Sequence, residues 1–334
     1  MNRIAKITGI ISVILIFVSS CNDKSADSPF GEMLNQPPYS GLTDSIKNQP
    51  KNDELYFRRA VLLNTYNQPE PALIDFKKAW SFQKDERYAL AISTILMDKN
   101  PDSALVFLNQ AIKFLPKSLI LQLSLARAYD VKGDIVPALL ACDLILQSFP
   151  EQVDVLKLKA DLLTRKGENN EAILLLEKAY SLTPFDVELN YFLALKYAET
   201  KNEKLLPLTD SLIRADSLET HAEPYYYKGI YYNNIKDNVK ALYYFDLAIK
   251  HDYNFLDGYI EKGAVLYEMK KIKEAIAVFN LALTISPKFA DAWYWMAKCQ
   301  LAMGQKEDAK LNYQRAYALD TSIKEAKEAL DKLK

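Results

Sequence analysis

Residues Tyr225 to Tyr253 read YYYKGIYYNNIKDNVKALYYFDLAIKHDY. Within this stretch Tyr225, Gly229, Ala241, Phe245 and Ala248 stand at intervals that recur along the chain. Ala72, Ala104, Ala138, Ala172, Ala241, Ala275 and Ala309 follow one another at gaps of 32, 34, 34, 69, 34 and 34 residues. The gap of 69 holds two repeats and one extra residue, with Leu206 where the missing alanine falls. A fixed period of this length means a solenoid of helical hairpins. Such stacks present extended surfaces, so binding is expected before catalysis.

Counting the alanine as position 20 of 34 exposes the rest of the pattern. Position 8 is small in most repeats (Ala60, Ala126, Ala160, Ala194, Gly229, Gly263, Ala297), as is position 27 (Ala79, Ala111, Ala179, Ala248, Ala282, Ala316). Small residues belong where helix axes cross at about 8–10 Å. Position 4 carries bulk, as in Tyr56, Tyr88, Tyr225, Tyr259 and Trp293, and so does position 24, as in Phe76, Phe245, Phe279 and Tyr313. Pro116, Pro150, Pro184 and Pro287 share position 32 and stop each second helix, because proline cannot continue one.

Large at 4, small at 8, alanine at 20, aromatic at 24, alanine at 27 and proline at 32 resembles the tetratricopeptide repeat over residues 53–321. The resemblance implies an all-α fold, a right-handed α-solenoid of about eight hairpins with capping helices at both ends. The repeats fall at about 53–84, 85–118, 119–152, 153–186, 187–221, 222–255, 256–289 and 290–321. The fifth is degenerate, since Leu206, Asp210 and Ile213 replace its small–aromatic–small set, and it is the expected bend point. Pro207 fits a first helical turn there, as Pro71 and Pro137 do in their repeats. An N-terminal cap is expected at 39–52 as a lone second helix, with Leu42 at position 24, Ser45 at position 27 and Pro50 at position 32. Residues 322–334 are expected as the C-terminal capping helix, with Ile323, Ala326, Leu330 and Leu333 on one face.

Residues 1–20 read as a leader. Arg3 and Lys6 precede an apolar run, Ile7 to Val18, of only 12 residues, short of the roughly 20 needed to span a bilayer. Val18-Ser19-Ser20-Cys21 is similar to a bacterial lipoprotein cleavage box. That resemblance implies a diacylglycerol on Cys21 and acylation of the new N-terminus, enough for firm anchoring. Residues 21–38, rich in Asn, Asp, Ser and Pro, then form a flexible lipidated tether. Asn22 is not aspartate, which favours the outer membrane of a bacterial envelope.

The chain balances 42 basic against 43 acidic residues, so no basic nucleic-acid stripe stands out. Cys142 and Cys299 lack CxxC spacing and read as buried small hydrophobes. The two histidines, His221 and His251, fall near hairpin loops. No HExxH, GxSxG or phosphate-cradling glycine loop occurs. No catalytic residue, cofactor or metal is therefore expected.

Function is expected in the groove. In the family, the first helix of each hairpin lines the concave face through positions 2, 5, 9, 12 and 13. Position 2 is acidic in Glu54, Glu86, Asp154, Glu188, Glu223, Asp257 and Asp291. The column reads either as carboxylates complementing helix dipoles or as an acidic lip for basic partners. The candidate partner-binding residues are Tyr191, Tyr226, Ile230, Asn233, Asn234, Ile260, Tyr267, Tyr294 and Lys298. Tyrosines would anchor a partner segment, and the asparagine amides would pair with its backbone. Repeats three and four instead place Arg127, Lys157 and Arg165 near Asp130 and Asp161, a mixed patch without the basic set of a dicarboxylate clamp. The expected function is a membrane-anchored scaffold for protein–protein interaction in envelope assembly, secretion or pilus-type machinery. The alternatives are an adaptor of cell-wall enzymes and an oligosaccharide binder stacking sugars on Tyr191, Tyr226 and Tyr294.

Overall fold

The computed structural model describes residues 29–218 and 220–333. The leader, Cys21 and the first part of the tether, to residue 28, lie outside the described residues. The chain divides into two compact units, residues 1–99 and 100–334. The first holds α1 (Gly31–Leu34), α2 (Ser40–Asn48), α3 (Asp53–Thr65), α4 (Pro69–Phe82) and α5 (Glu86–Lys99). The second holds α6 (Pro101–Phe114), α7 (Leu119–Lys132), α8 (Ile135–Ser148), α9 (Val153–Lys166), α10 (Asn169–Leu182), α11 (Val187–Glu199) and α12 (Leu205–Ala215). It continues with α13 (Glu223–Asn234), α14 (Asn238–His251), α15 (Leu256–Glu268), α16 (Ile272–Ile285), α17 (Ala290–Ala302), α18 (Lys306–Leu319) and α19 (Lys324–Lys332). Every regular element among the described residues is helical. Within each unit, extensive packing joins helices adjacent in sequence or once removed, the contact pattern of an α-solenoid.

The periodic residues do what their sizes require. Ala72, Ala104, Ala138, Ala172, Ala241, Ala275 and Ala309 are all fully buried. A Cβ at Gly229 would fall against the ring of Phe245, and one at Gly263 against Phe279, so positions 8 and 24 interlock. The residue at position 15 turns seven of the eight hairpins through left-handed backbone at Asn67, Gly133, Gly167, Lys201, Lys236, Lys270 and Gly304, whereas Lys99 in the second hairpin ends α5 directly before the N-cap Asn100 of α6. Position 4 has a second task that its size alone does not reveal. Tyr56, Gln122, Asn190, Tyr259 and Trp293 each donate a side-chain hydrogen bond to the carbonyl six residues earlier, of Pro50, Pro116, Pro184, Tyr253 and Pro287, at 2.8–3.1 Å. This ties the turn between hairpins to the helix that follows it.

Ion pairs also bridge neighbouring hairpins. Lys159 reaches Asp143 and Lys262 reaches Asp246, each at 2.5 Å, and Lys228 pairs with Asp210 in the same manner. In the first unit Arg59 grips Asp75 through two hydrogen bonds, 2.6 and 2.8 Å, and donates a third to Thr43 at 3.0 Å. Both charges are buried.

Three expectations need correction. Leu205 and Thr209, both fully buried, occupy the core of the fifth hairpin, whereas Leu206 and Asp210 are only partly buried. Elsewhere the left-handed turn residue precedes the buried alanine by five positions, as Lys236 precedes Ala241, but Lys201 precedes Leu205 by four. α12 also starts four residues after Lys201, where α14 starts two after Lys236, and its buried face is offset by one residue from the regular spacing. The N-terminal cap is offset by one residue in the opposite direction: Tyr39, Thr43 and Ile46 are buried, whereas Leu42 and Ser45 are only partly buried. Finally, the tether range contains α1, whose Leu34 is buried and whose carbonyl accepts a 2.6 Å hydrogen bond from Thr43. At the C-terminal end α19 packs with Ile323, Leu330 and Leu333 against a cluster that buries Ala326.

Candidate functional site

α11, α13 and α15 are the first helices of three successive hairpins, and they form a cleft of about 610 Å³. Leu195, Tyr226, Tyr227, Ile230 and Phe255 supply its apolar lining, Asn233 and Asn234 its amides, and Glu199, Glu223, Asp257 and Glu261 its carboxylates. The aromatic lining is fixed by its own packing. The Tyr226 ring meets Phe255 edge-on at 5.1 Å, Phe245 at 6.0 Å and Tyr227 at 5.9 Å. Burial pushes the hydroxyls of Tyr226 and Tyr227 above their ordinary pKa, and the nearby carboxylates add to it. Burial, then Asp257 and Glu268, likewise raise the carboxyl of Glu261.

The candidate residues do not form one site. Tyr226, Ile230, Asn233 and Asn234 share the cleft. Tyr191 lies outside its lining, with its ring 6.2 Å from both Tyr227 and His221, and burial raises its pKa to about 12. Ile260 packs against the hydrophobic cluster around Tyr259 and Phe279. Tyr267, Tyr294 and Lys298 belong to a second cluster with Trp295, which the sequence reading missed. The Lys298 ammonium lies 3.7 Å from the Trp295 ring centre, 5.3 Å from Tyr267 and 5.4 Å from Tyr294. Burial lowers its pKa, and the three rings partly replace its lost hydration.

The two asparagines also differ from expectation. Asn234 donates its amide to the Ala198 carbonyl at 3.0 Å, so it joins α13 to the end of α11 instead of presenting that donor to a partner. Asn233 Oδ1 is buried without a hydrogen-bond partner. Because Tyr226 alone of Tyr191, Tyr226 and Tyr294 lines the cleft, the three rings do not make one sugar-stacking platform. Of the acidic column, Glu223 and Asp257 line the cleft. Glu199 and Glu261 escaped notice because they fall outside that column.

The neighbouring groove section is electrostatically self-contained. Arg127, Asp154, Lys157, Leu158, Asp161, Glu188 and Phe192 line a cleft of about 460 Å³. Lys157 pairs with Asp186 at 3.1 Å and Glu188 at 2.8 Å, while Arg165 pairs with Asp130 and, at 3.1 Å, with Asp161. This is the mixed patch expected from the sequence. A further cavity, about 670 Å³, lies in the N-terminal unit beside Phe30, Leu34 and Ile74, and its Arg59 and Asp75 are committed to each other.

Cys142 and Cys299 are buried free thiols, and burial raises their pKa to about 12 and about 11. His221 pairs with Asp216 at 3.0 Å, and His251 stacks on Tyr225 at 4.4 Å. Among the described residues no group of His, Cys, Asp and Glu is placed to hold a metal ion. None of their helices is long and apolar enough to cross a membrane.

Comparison with known proteins agrees with this architecture. Residues 266–320 match the family model for the tetratricopeptide repeat. Human anaphase-promoting complex subunit 7 is 29% identical over 175 residues, 50% of this chain and 29% of that protein. Heat shock protein STI1 of Saccharomyces cerevisiae is 31% identical over 75 residues, 22% of this chain and 13% of that protein. The chain thus spans less than a third of the length of either curated relative. A tetratricopeptide repeat protein from Parabacteroides merdae, of known crystal structure, superposes with a TM-score of 0.62 at 21% identity, covering 74% of this chain and 97% of that one. Residues 266–320 thus match the tetratricopeptide repeat, and the fold of the chain is similar to that of a tetratricopeptide repeat protein.

Proposed function

We propose that the chain is a protein-binding scaffold that takes a segment of a partner into the cleft of α11, α13 and α15. The observation that carries this reading is the aromatic lining. Tyr226 and Phe255 are held by neighbouring rings and so are set in place before any partner arrives. Pre-set aromatic anchors spare the ordering cost of binding. The repeat type supports the reading, as does likeness to proteins whose names describe a subunit of a complex and a heat shock protein.

The scaffold is further proposed to be tethered to a bacterial envelope, at the outer membrane, by lipid on Cys21, serving envelope assembly, secretion or pilus-type machinery. The sequence supports this through the charged leader, its short apolar run and the cysteine that follows. Anchoring would raise the partner's effective concentration at the membrane. Cys21→Ser should move the protein from the membrane fraction to the soluble one, and continued membrane association would refute the anchor. For the cleft, a photo-crosslinking residue at Ile230 in the full chain, used in cells, should capture one partner segment. A protein that emerges free of crosslinks would overturn the scaffold reading and move weight to a small ligand.

A further inference from the structure

The geometry points to a partner segment that presents a basic side chain, arginine in preference to lysine, to the aromatic cleft of α11, α13 and α15. This deepens the scaffold reading and rests on it. The cleft sets aromatic and aliphatic side chains beside three carboxylates, Glu223, Asp257 and Glu261. Among the described residues none of these three carboxylates has an ion-pair partner, and Glu199 alone is matched, by Lys196 at 2.5 Å. The adjoining groove section differs: Lys157 and Arg165 pair with two of its three carboxylates, Glu188 and Asp161, from within the chain. Two sections of one groove therefore treat charge differently. One sets cations among its carboxylates, and the other leaves several negative charges beside aromatic rings.

Burial, and then the negative charges of Asp257 and Glu268, raise the Glu261 carboxyl above its ordinary pKa, so a charge there is held at a cost. A cation entering the cleft would remove it. Arginine fits the setting better than lysine. Its planar fork offers five donors, enough for more than one carboxylate and for the unpartnered Asn233 Oδ1 beside them. Its flat, weakly hydrated head stacks on aromatic rings such as Tyr226, while its methylene stem covers apolar surface. A carboxylate-bearing segment would meet like charge on entry and is excluded.

The test uses the full chain with the photo-crosslinking residue at Ile230, with and without Glu223→Gln, Asp257→Asn and Glu261→Gln combined. Neutralising mutually repelling groups should leave the fold intact, which circular dichroism would verify. Glu307→Gln with Asp308→Asn on α18 serves as a charge control. The inference expects a crosslinked segment containing Arg or Lys, a loss of at least tenfold in crosslinking in the triple variant, and no loss in the control. A crosslinked segment without a basic residue, or undiminished capture by the triple variant, would overturn the inference while leaving the scaffold reading intact. Absence of any crosslink from the wild-type cleft would overturn both.

Discussion

At the scale of single residues, burial decides which substitutions matter. A methyl group added at Gly263 in α15 gains about 1 kcal/mol of helix propensity. It also falls against Phe279, which is fully buried and stacked on Trp295 at 6.0 Å. The ring has no room to retreat, and overpacking costs about 1–3 kcal/mol. Gly263→Ala should therefore lower the thermal midpoint, and a raised midpoint would show that the interlock is loose. In the N-terminal unit, Arg59→Met would strand the buried Asp75 carboxylate, a loss of about 3–5 kcal/mol at neutral pH. Asp75 already sits above its ordinary pKa, chiefly through burial, and loss of the guanidinium removes what opposes that rise. The folded variant would then bind a proton more tightly than the unfolded chain, so its stability should recover as pH falls from neutral into the acid range. A denaturation series across that range would check it, and a deficit independent of pH would refute the account. The size pattern of the sequence made the glycine–phenylalanine pairing legible. It could not reveal Arg59–Asp75, because no periodic feature marks Asp75, nor the hydrogen bonds of position 4, where Tyr, Gln, Asn and Trp share a donor rather than a shape.

Between residues and the whole chain, helices show where counting succeeds and fails. Seven alanines at a fixed period set the register of seven hairpins, and each alanine is fully buried. The fifth hairpin has no such marker, so arithmetic put Leu206 inside, when the altered connection after Lys201 puts Leu205 there. Asp210, which looked like a misplaced core residue, instead pairs with Lys228 as Asp246 pairs with Lys262 in the next interval. A one-position shift thus turns an apparent defect into part of a recurring bridge. Leu205→Ala should cost about 2–5 kcal/mol, the range for a buried leucine, and Leu206→Ala distinctly less. Equal losses, or the reverse order in urea unfolding, would restore the register read from spacing alone. The cleft was only half legible for a related reason. Glu223 and Asp257 belong to a visible column, whereas Glu199 at the end of α11 and Glu261 within α15 join them only when successive helices pack side by side.

Over the whole molecule, the lack of extensive contact between distant helices within a unit makes stability a sum of local terms. Damage should then stay near its source. Ala309 in α18 is fully buried beside Ala297, Tyr313 and Ala326, which join α17, α18 and α19. Ala309→Trp would overpack that terminal cluster and open the end of the C-terminal unit. Hydrogen exchange should show amides of α17, α18 and α19 losing protection, while those of α7 to α10 keep theirs. In a globular core the same insertion would lower protection everywhere, because all helices would share one cooperative unit. Uniform loss from α7 to α19 would mean that cooperativity in this unit extends well beyond neighbouring hairpins. Confinement to the last hairpins would mean that the cleft of α11, α13 and α15 can be altered without disturbing the repeats around it, the independence that a binding surface built from repeats requires.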